Sequence, residues 1–374
     1  MQELKIDIKS SILCGRGKID RLPAYIKQGC RRAVLVRDPY IPDSAASGIS
    51  AMLNKKGIDC VLYTDINKRA ASRDAEILSD FIRKGYIQCV IGLGGQRTLN
   101  IARLAAASAD SGFECDDILD NLKKPGNRIS LDYIEIPSSI KNPIMFTQLS
   151  AVADSRNRGI KIVDTGSFPS LIIKDALIYD SIPESSLSSL LFELIFTAAE
   201  ALCFRERHLF TDSLLLSSLK KLLSGKEFSV DELSDIALCI DYAYSLTGPG
   251  SGYYLVRVLN SLTGVPASFL STILLPHFFE YYFSESEDIV KTVLSCCADS
   301  VSEGNEGEAA GEYFVNDIRK MIKMKNLPIR LSETGIRKEA VNSAAVLSGA
   351  YPEFVKTAFN ITDEKITSIL RGAL

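Results

Sequence analysis

The chain has 374 residues, enough for two domains, and a formal net charge of −3 at pH 7. Hydrophobic residues make up 46% of it and charged residues 24%, as in an ordinary globular protein. No block of basic residues occurs, which argues against nucleic acid as a partner. The longest apolar run, Leu190 to Ala201, is interrupted by Glu193 and Glu200, so we expect neither a membrane span nor a membrane partner.

The cysteines and the opening residues bear on where the protein resides. Nine cysteines occur without a CxxC spacing, and several of them lie in apolar surroundings. The opening residues, MQELKIDIKS, alternate apolar and charged side chains and lack the apolar core of a signal peptide. We therefore predict a cytoplasmic protein with buried, reduced thiols.

Residues 1–180 alternate predicted strands with predicted helices. The strands are Leu4–Ile8, Ala33–Val36, Cys60–Tyr63, Cys89–Gly92, Tyr133–Ile136 and Leu177–Tyr179, and the helices are Ile19–Lys27, Ser44–Lys56, Arg73–Lys84 and Leu99–Ala107. A further hairpin is predicted from Ile160–Val163 and Leu171–Lys174, with its turn at Thr165-Gly166-Ser167. Strands that alternate with helices imply a mainly parallel sheet that is covered on both faces.

The pattern changes after the segment Asp180-Ser181-Ile182-Pro183, where strand patterns disappear. Helical spacing covers Ser185–Phe204, Leu209–Leu223, Val230–Thr247, Tyr253–Leu262, Phe269–Phe283, Ile289–Ala298, Gly311–Met324 and Lys338–Leu347. We therefore predict an α/β domain over residues 1–182 and an all-helical domain over residues 183–374.

A glycine cluster stands at the centre of the first domain. Gly92, Gly94 and Gly95 follow an apolar strand, and an apolar helical pattern begins at Leu99. Such a turn directs backbone N–H groups and the positive end of a helix dipole at one point, where glycine lets a phosphate approach. The same glycines also suit a plain strand-to-helix turn, so the motif alone is a weak signal for nucleotide binding.

A series of short motifs extends along nearly the whole chain. In order they are Gly15-Arg16-Gly17 with Leu22-Pro23, Leu35-Val36-Arg37-Asp38, Gly92 to Arg103, Ile136-Pro137-Ser138-Ser139, Gly159-Ile160-Lys161, Asp175 to Pro183, Leu274-Leu275-Pro276-His277 and Leu327 to Gly335. Taken together, the series resembles the iron-dependent (group III) alcohol dehydrogenase family. That family lies in the superfamily that also holds dehydroquinate synthase and glycerol-1-phosphate dehydrogenase.

The resemblance implies a dehydroquinate synthase-like fold, in which an α/β dinucleotide-binding domain with a parallel sheet precedes an all-α domain. It implies NAD(P) in the first domain and a divalent metal in the cleft, where the metal polarises an alcohol or carbonyl oxygen while the nicotinamide exchanges hydride. A small-molecule substrate and a homodimer are expected as well. The implied cofactor-binding positions are Asp38, Gly92, Gly94, Gly95, Gln96, Arg97, Ser138 and Lys161. Asp38 follows a strand and favours a free ribose 2′-OH, hence NAD over NADP.

The metal site departs from the family pattern. The resemblance implies one Asp and three His ligands, and the matching positions here are Glu193, Thr197, Tyr253 and Ala267. The two histidines of the chain match no ligand position. A catalytic transition metal needs about three protein ligands, so we expect no bound transition metal.

The nucleotide loop also departs from the family. Gln96 replaces the third loop glycine, and Arg97, Asn100 and Arg103 replace Ser, Asp and Lys. Gln96 adds bulk beside the diphosphate position, whereas Arg97 and Arg103 add positive charge that can pair with phosphate. We expect the glycines to leave N–H groups free and to support weak dinucleotide binding. The alternative is a loop whose glycines serve only the turn.

Glu193, Tyr253 and Arg257 are the candidates for chemistry in place of the metal. Arg257 lies one helical turn after Tyr253 and supplies a fixed positive charge, either as a structural ion pair with Glu193 or as a binding group for an anionic substrate. Tyr253 can donate a proton to a developing alkoxide, although a tyrosine at a helix start more often serves packing. Two functions stay open: an oxidoreductase of this family that works without metal, and a non-catalytic or regulatory homologue. A metal-independent lyase or isomerase is a minor third option.

Overall fold

The computed structural model describes residues 9–126, 130–180, 182–204, 208–297, 308–349, 355–356, 359 and 361–374. Contacts divide the chain into two units, and the second of them begins at Ile182. The predicted strand Leu4–Ile8 lies outside the described residues.

The first unit contains a six-stranded sheet in which all paired strands are parallel. Its strands are β1 (Ser11–Cys14), β2 (Arg32–Arg37), β3 (Asp59–Tyr63), β4 (Cys89–Gly94), β5 (Asp132–Pro137) and β8 (Leu171–Lys174). They lie in the order β1-β8-β5-β4-β2-β3, which puts β4 inside the sheet between β5 and β2. Because parallel strands end at the same edge, residues that follow β2 and β4 lie close together.

Helices cover both faces of this sheet. A 3₁₀ helix spans Lys18–Ala24, and the α-helices are α1 (Asp43–Lys55), α2 (Ser72–Lys84), α3 (Gln96–Ser111) and α4 (Cys115–Leu119). Alternate residues of β2 enter two separate apolar cores, with Val34 and Val36 on one face and Ala33 and Leu35 on the other. This period of two is what the sequence predicts for a strand that is buried on both faces.

The predicted hairpin is wrong. Strand β7 (Ile160–Asp164) pairs antiparallel with β6 (Leu149–Ala153) in a separate two-stranded sheet, whereas Leu171–Lys174 is β8 of the main sheet. Strand β6 was not predicted from the sequence, so the next apolar run was taken as the partner of β7.

The predicted strand Leu177–Tyr179 is also wrong, because these residues form the short helix α5 (Ala176–Tyr179). The Asp175 carboxylate caps this helix by accepting a hydrogen bond from the Leu177 N–H, at 3.0 Å. It also accepts from the Gly17 and Ile19 N–H groups, at 3.0 and 2.9 Å, and so ties the first glycine motif to the end of β8.

The second unit is built from helices. They are α6 (Glu184–Leu202), α7 (Leu209–Leu222), α8 (Val230–Thr247), α9 (Ser251–Thr263), α10 (Ala267–Glu285), α11 (Glu287–Leu294), α12 (Glu308–Met324), α13 (Lys338–Ser348) and α14 (Asp363–Gly372). The sequence predicted the first eight to within a few residues and missed α14. Helix α6 has the length and composition of a membrane span, but 72% of its most apolar window is buried inside the protein.

Candidate functional site

The end of β4 and the start of α3 form the glycine turn. Gly94 ends the strand, Gly95 is the N-cap and the helix begins at Gln96. A Cβ added at Gly94 would overlap the Cβ of Asp38, which follows β2 at the same edge. The Asp38 N–H donates to the Leu93 carbonyl at 2.9 Å. The turn and the strand-end acid are therefore packed directly on each other.

The Asp38 carboxylate is oriented by three donors. It accepts hydrogen bonds from the Gly95 N–H at 3.2 Å, from the Thr98 hydroxyl at 2.8 Å and from the Tyr40 N–H at 3.0 Å. An acid at this position also complements the positive end of the α3 dipole. Thr98 was not predicted as a site residue, although it lies inside the glycine motif.

The expectation that all three glycines offer free N–H groups is wrong for Gly95, since its N–H donates to Asp38. Gly92 and Gly94 belong to β4 rather than to the turn. At Gly92, a Cβ would approach Leu99 Cδ2 to 2.9 Å, so a larger residue there would require the Leu99 side chain to shift.

Gln96 and Ser138 also lie at the carboxyl edge of the sheet, beside the glycine turn. The Gln96 Nε2 donates to the Lys141 carbonyl at 2.9 Å, while its Oε1 is buried with no hydrogen-bond partner among the described residues. The Ser138 N–H donates to the Gly94 carbonyl at 2.8 Å. The Arg97 guanidinium donates to the Lys68 carbonyl.

Arg103 does not provide charge for a phosphate, which corrects the sequence expectation. Its side chain is buried and forms an ion pair with Glu135, with Nη2 at 2.5 Å from Oε1. Its Nη1 also donates to the Leu149 and Thr147 carbonyls, at 2.6 and 2.9 Å. The buried Tyr133 hydroxyl donates to the same Glu135 oxygen at 2.9 Å. Burial raises the pKa of Tyr133 well above its usual range, and the nearby Glu135 charge adds to this.

Lys161 lies elsewhere in the first unit. It belongs to β7 of the two-stranded sheet, and its Nζ is 3.6 Å from the Asp120 Oδ1. The structure therefore brings together Asp38, Gly94, Gly95, Gln96 and Ser138, and it places Lys161 on a separate sheet.

The four positions matched to the metal ligands lie on three helices of the second unit. Glu193 and Thr197 are one turn apart on α6 and are buried, Tyr253 is near the start of α9, and Ala267 begins α10. The Thr197 hydroxyl donates to the Glu193 carbonyl of its own helix at 2.8 Å.

These residues do not fit a catalytic transition metal, because they offer one carboxylate, one phenol, a hydroxyl bonded to its own helix and a methyl group. Among the described residues, no group of three or more His, Cys, Asp or Glu side chains is arranged to hold a metal ion.

Glu200 fixes the start of α9 and was missed as a functional residue. Its buried carboxylate accepts hydrogen bonds from the Gly252 N–H at 2.5 Å and from the Tyr244 hydroxyl at 2.7 Å. It also accepts from the Tyr253 N–H at 3.3 Å. A Cβ at Gly250 would overlap the Glu200 carboxylate. The signal in the sequence was its position two turns after Glu193 on the same helix.

Arg257 is 6% exposed, in the middle of α9. Its Nε is buried and has no hydrogen-bond partner among the described residues. Within that part of the chain no ion pair joins Arg257 to Glu193, which is buried with other interactions of its own. The structural ion pair considered from the sequence is therefore not formed.

A parallel α/β unit with this glycine turn, followed by a helical unit, is the dehydroquinate synthase-like fold. Residues 9–176 match the sequence model of the family described as iron-containing alcohol dehydrogenase. Long-chain-alcohol dehydrogenase 1 of Geobacillus thermodenitrificans is 21% identical over 344 residues, which cover 88% of this chain and 86% of that protein.

Solved structures of the family share the fold over the whole chain. The NADH-dependent butanol dehydrogenase A of Thermotoga maritima superimposes with a TM-score of 0.85 at 15% identity, covering 100% of this chain and 99% of the other. The sulfoacetaldehyde reductase of Bifidobacterium kashiwanohense, solved in complex with NAD⁺, gives 0.79 at 14% identity with the same coverage. The resemblance inferred from the motifs is confirmed: the chain is similar to the iron-containing alcohol dehydrogenases in the sequence of residues 9–176 and in its fold.

Proposed function

We propose that this protein is an NAD-linked oxidoreductase that interconverts an alcohol and a carbonyl compound without a transition metal. The observation that carries the proposal is the contact of Asp38 with the glycine turn at the start of α3. An acid and a helix N-terminus at the carboxyl edge of a parallel sheet are the two elements that bind a dinucleotide.

The residues of this edge fit the cofactor. The lack of a side chain at Gly94 lets Asp38 pack against the start of α3, where the positive end of the helix dipole can attract a diphosphate. Asp38 keeps lone pairs for a ribose hydroxyl and would repel a 2′-phosphate. NAD would supply hydride transfer when bound. The Thermotoga and Bifidobacterium proteins, which are named with NADH and NAD⁺, support this choice.

The side chains of the helical unit would replace the metal. The Arg257 guanidinium can bind an anionic group of the substrate, while the Tyr253 hydroxyl can hold or donate a proton at the reacting oxygen. Glu200 holds the Tyr253 backbone and so orients the helix that carries both groups. Cytoplasmic location, a small-molecule substrate and a homodimer stay predictions.

A non-catalytic homologue is the second candidate. It is favoured by Thr197 and Ala267, because a hydroxyl bonded to its own helix and a methyl group contribute nothing to catalysis at two ligand positions. The two functions differ in whether the protein turns over substrate, and they share the fold and the glycine turn.

Calorimetric titration with NADH and NADPH tests the proposal. We expect NADH to bind about tenfold more tightly, a difference of about 1.4 kcal/mol, and Asp38→Asn to narrow that preference. Tighter binding of NADPH would overturn the assignment of Asp38. If neither cofactor binds, or NADH binds but no alcohol or aldehyde of a test panel is turned over, the non-catalytic function is favoured.

A further inference from the structure

Arg257 is a buried cation without an ion-pair partner in the part of the chain that the structure describes. Among the described residues, no carboxylate forms an ion pair with it and no acceptor meets its Nε. It is also the one charged residue of α9, all of which is described. Its own helix therefore offers nothing to neutralise it.

The helices packed against α9 do not neutralise it either. The main ones are α10 and α13, whose carboxylates belong to Glu280, Glu285 and Glu339, and Glu200 of α6 meets the start of α9. Glu285 and Glu339 are exposed to solvent, and Glu280 pairs with Arg319 at 2.6 Å. The Glu200 carboxylate accepts hydrogen bonds from Gly252, Tyr253 and Tyr244. No carboxylate in the described part of the helical unit therefore forms an ion pair with Arg257.

An unmatched guanidinium cannot escape burial by losing its proton, as a buried lysine can. Its planar fork of N–H donors fits two oxygens of a carboxylate, a sulfonate or a phosphate. A buried polar group without partners is unfavourable, so the complementary ligand is an oxyanion.

We propose that Arg257 binds the oxyanion of the substrate, which is then a small alcohol or carbonyl compound that carries a carboxylate, sulfonate or phosphate group. Arg257 follows Tyr253 by four residues, so both lie on one face of α9. A substrate held by its oxyanion on Arg257 would present its reacting oxygen near the phenol. That the bound molecule is a substrate rests on the proposed function, whereas the existence of an anion site rests only on the environment of Arg257.

The probes are phosphate, sulfate and 4-oxobutanoate, with butanal as the uncharged control. Calorimetry is run at constant ionic strength with chloride as the balancing anion, on the full-length protein and on three variants. Arg257→Met removes the charge, Arg257→Lys keeps it without the fork, and Arg330→Met removes an exposed arginine of the same unit as the matched control. Thermal unfolding and circular dichroism establish that each variant is folded.

We expect at least one oxyanion, and not butanal, to bind wild type and Arg330→Met alike, with preference among the three identifying the head group. Arg257→Met should lose about tenfold or more in affinity, and Arg257→Lys should be intermediate. If Arg257→Met does not fold, oxyanion affinity is compared between wild type and Arg257→Lys alone. Unchanged affinity in the Arg257 variants, or no oxyanion binding to wild type, overturns the proposal.

NADH is titrated into the same four proteins. Oxyanion binding without NADH binding would leave the anion site standing and overturn the proposed oxidoreductase. NADH binding without oxyanion binding would overturn the anion site and leave the proposed oxidoreductase standing.

Discussion

The two candidate regions differ in how their charged side chains are satisfied. In the first unit, Asp38 meets three donors, and Arg103, at a position where the family has lysine, is paired with Glu135 inside the same unit. In the helical unit, Arg257 is buried to a similar degree and meets no described carboxylate. Because the Arg103 charge is paired within its own unit, we interpret its replacement of the family lysine as structural. Because the Arg257 charge has no described ion-pair partner, we propose that it binds a ligand.

The largest effect is expected at Arg103, the compensated cation. Arg103→Met should lower the free energy of unfolding by about 3–5 kcal/mol, because it leaves the Glu135 charge buried alone. Urea denaturation measures it. The double variant Arg103→Met with Glu135→Leu should recover part of the loss, since the Thr147 and Leu149 carbonyls still lack their donor. A double variant as unstable as the single one would contradict the pairing.

The second largest loss of stability is expected at Glu200. Glu200→Gln replaces an acceptor of two N–H groups and a hydroxyl by an amide that can turn only one oxygen toward them, at a cost of about 1–3 kcal/mol. Chemical denaturation gives the value. Glu232→Gln is the control, because the exposed Glu232 carboxylate caps α8 through Ser229 and its loss should cost less.

Thr98 tests whether the orientation of Asp38 matters for the cofactor. Thr98→Val removes the 2.8 Å hydrogen bond and should weaken NADH binding by about fivefold, the equivalent of about 1 kcal/mol. Calorimetry on Thr98→Val and on Thr98→Ser separates the hydroxyl from the methyl. Equal loss in both variants would show that packing, and not the hydrogen bond, is responsible.

The smallest effect is expected at Glu280, the paired carboxylate beside α9. The hydrogen bond from His277, followed by the contacts of Arg319, lowers the pKa of Glu280 from 4.5 to about 2. Since the folded-state pKa lies below the unfolded one, the ionised group stabilises the fold above about pH 4.5. That contribution is lost as the pH falls toward 2.

The expected size at Glu280 is below about 1 kcal/mol, since the side chain is 48% exposed and screened by solvent. The stability difference between wild type and Glu280→Gln should shrink as the pH falls from about 4.5 toward 2. A difference that grows toward low pH would contradict this sign.

The sequence predicted most of the fold because apolar periodicity is a local signal. Helix α8, Val230–Thr247, was placed to the residue, and its Ser229 and Glu232 form a capping box that can be read from their spacing. The hairpin error at β7 arose because strand pairing is not local. Two apolar runs close in the sequence, β7 and β8, belong to different sheets.

The candidate site was predictable in part for the same reason. The glycine motif and Asp38 lie at the ends of predicted parallel strands, so their proximity follows from the fold. The pairing of Arg103 with Glu135 was not predictable, because it depends on which face of α3 turns toward β5. The resemblance places Arg257, but the absence of an ion pair to any described carboxylate is visible only when its neighbours are known.

The central claim is that the nucleotide side of the fold is retained while the metal is replaced by side chains. The most direct test is elemental analysis of protein purified after growth with iron and zinc, on material that binds NADH. We predict far less than one equivalent of any transition metal per chain, because Thr197 and Ala267 stand at two of the four ligand positions. A full equivalent of iron or zinc that survives dialysis would contradict the claim.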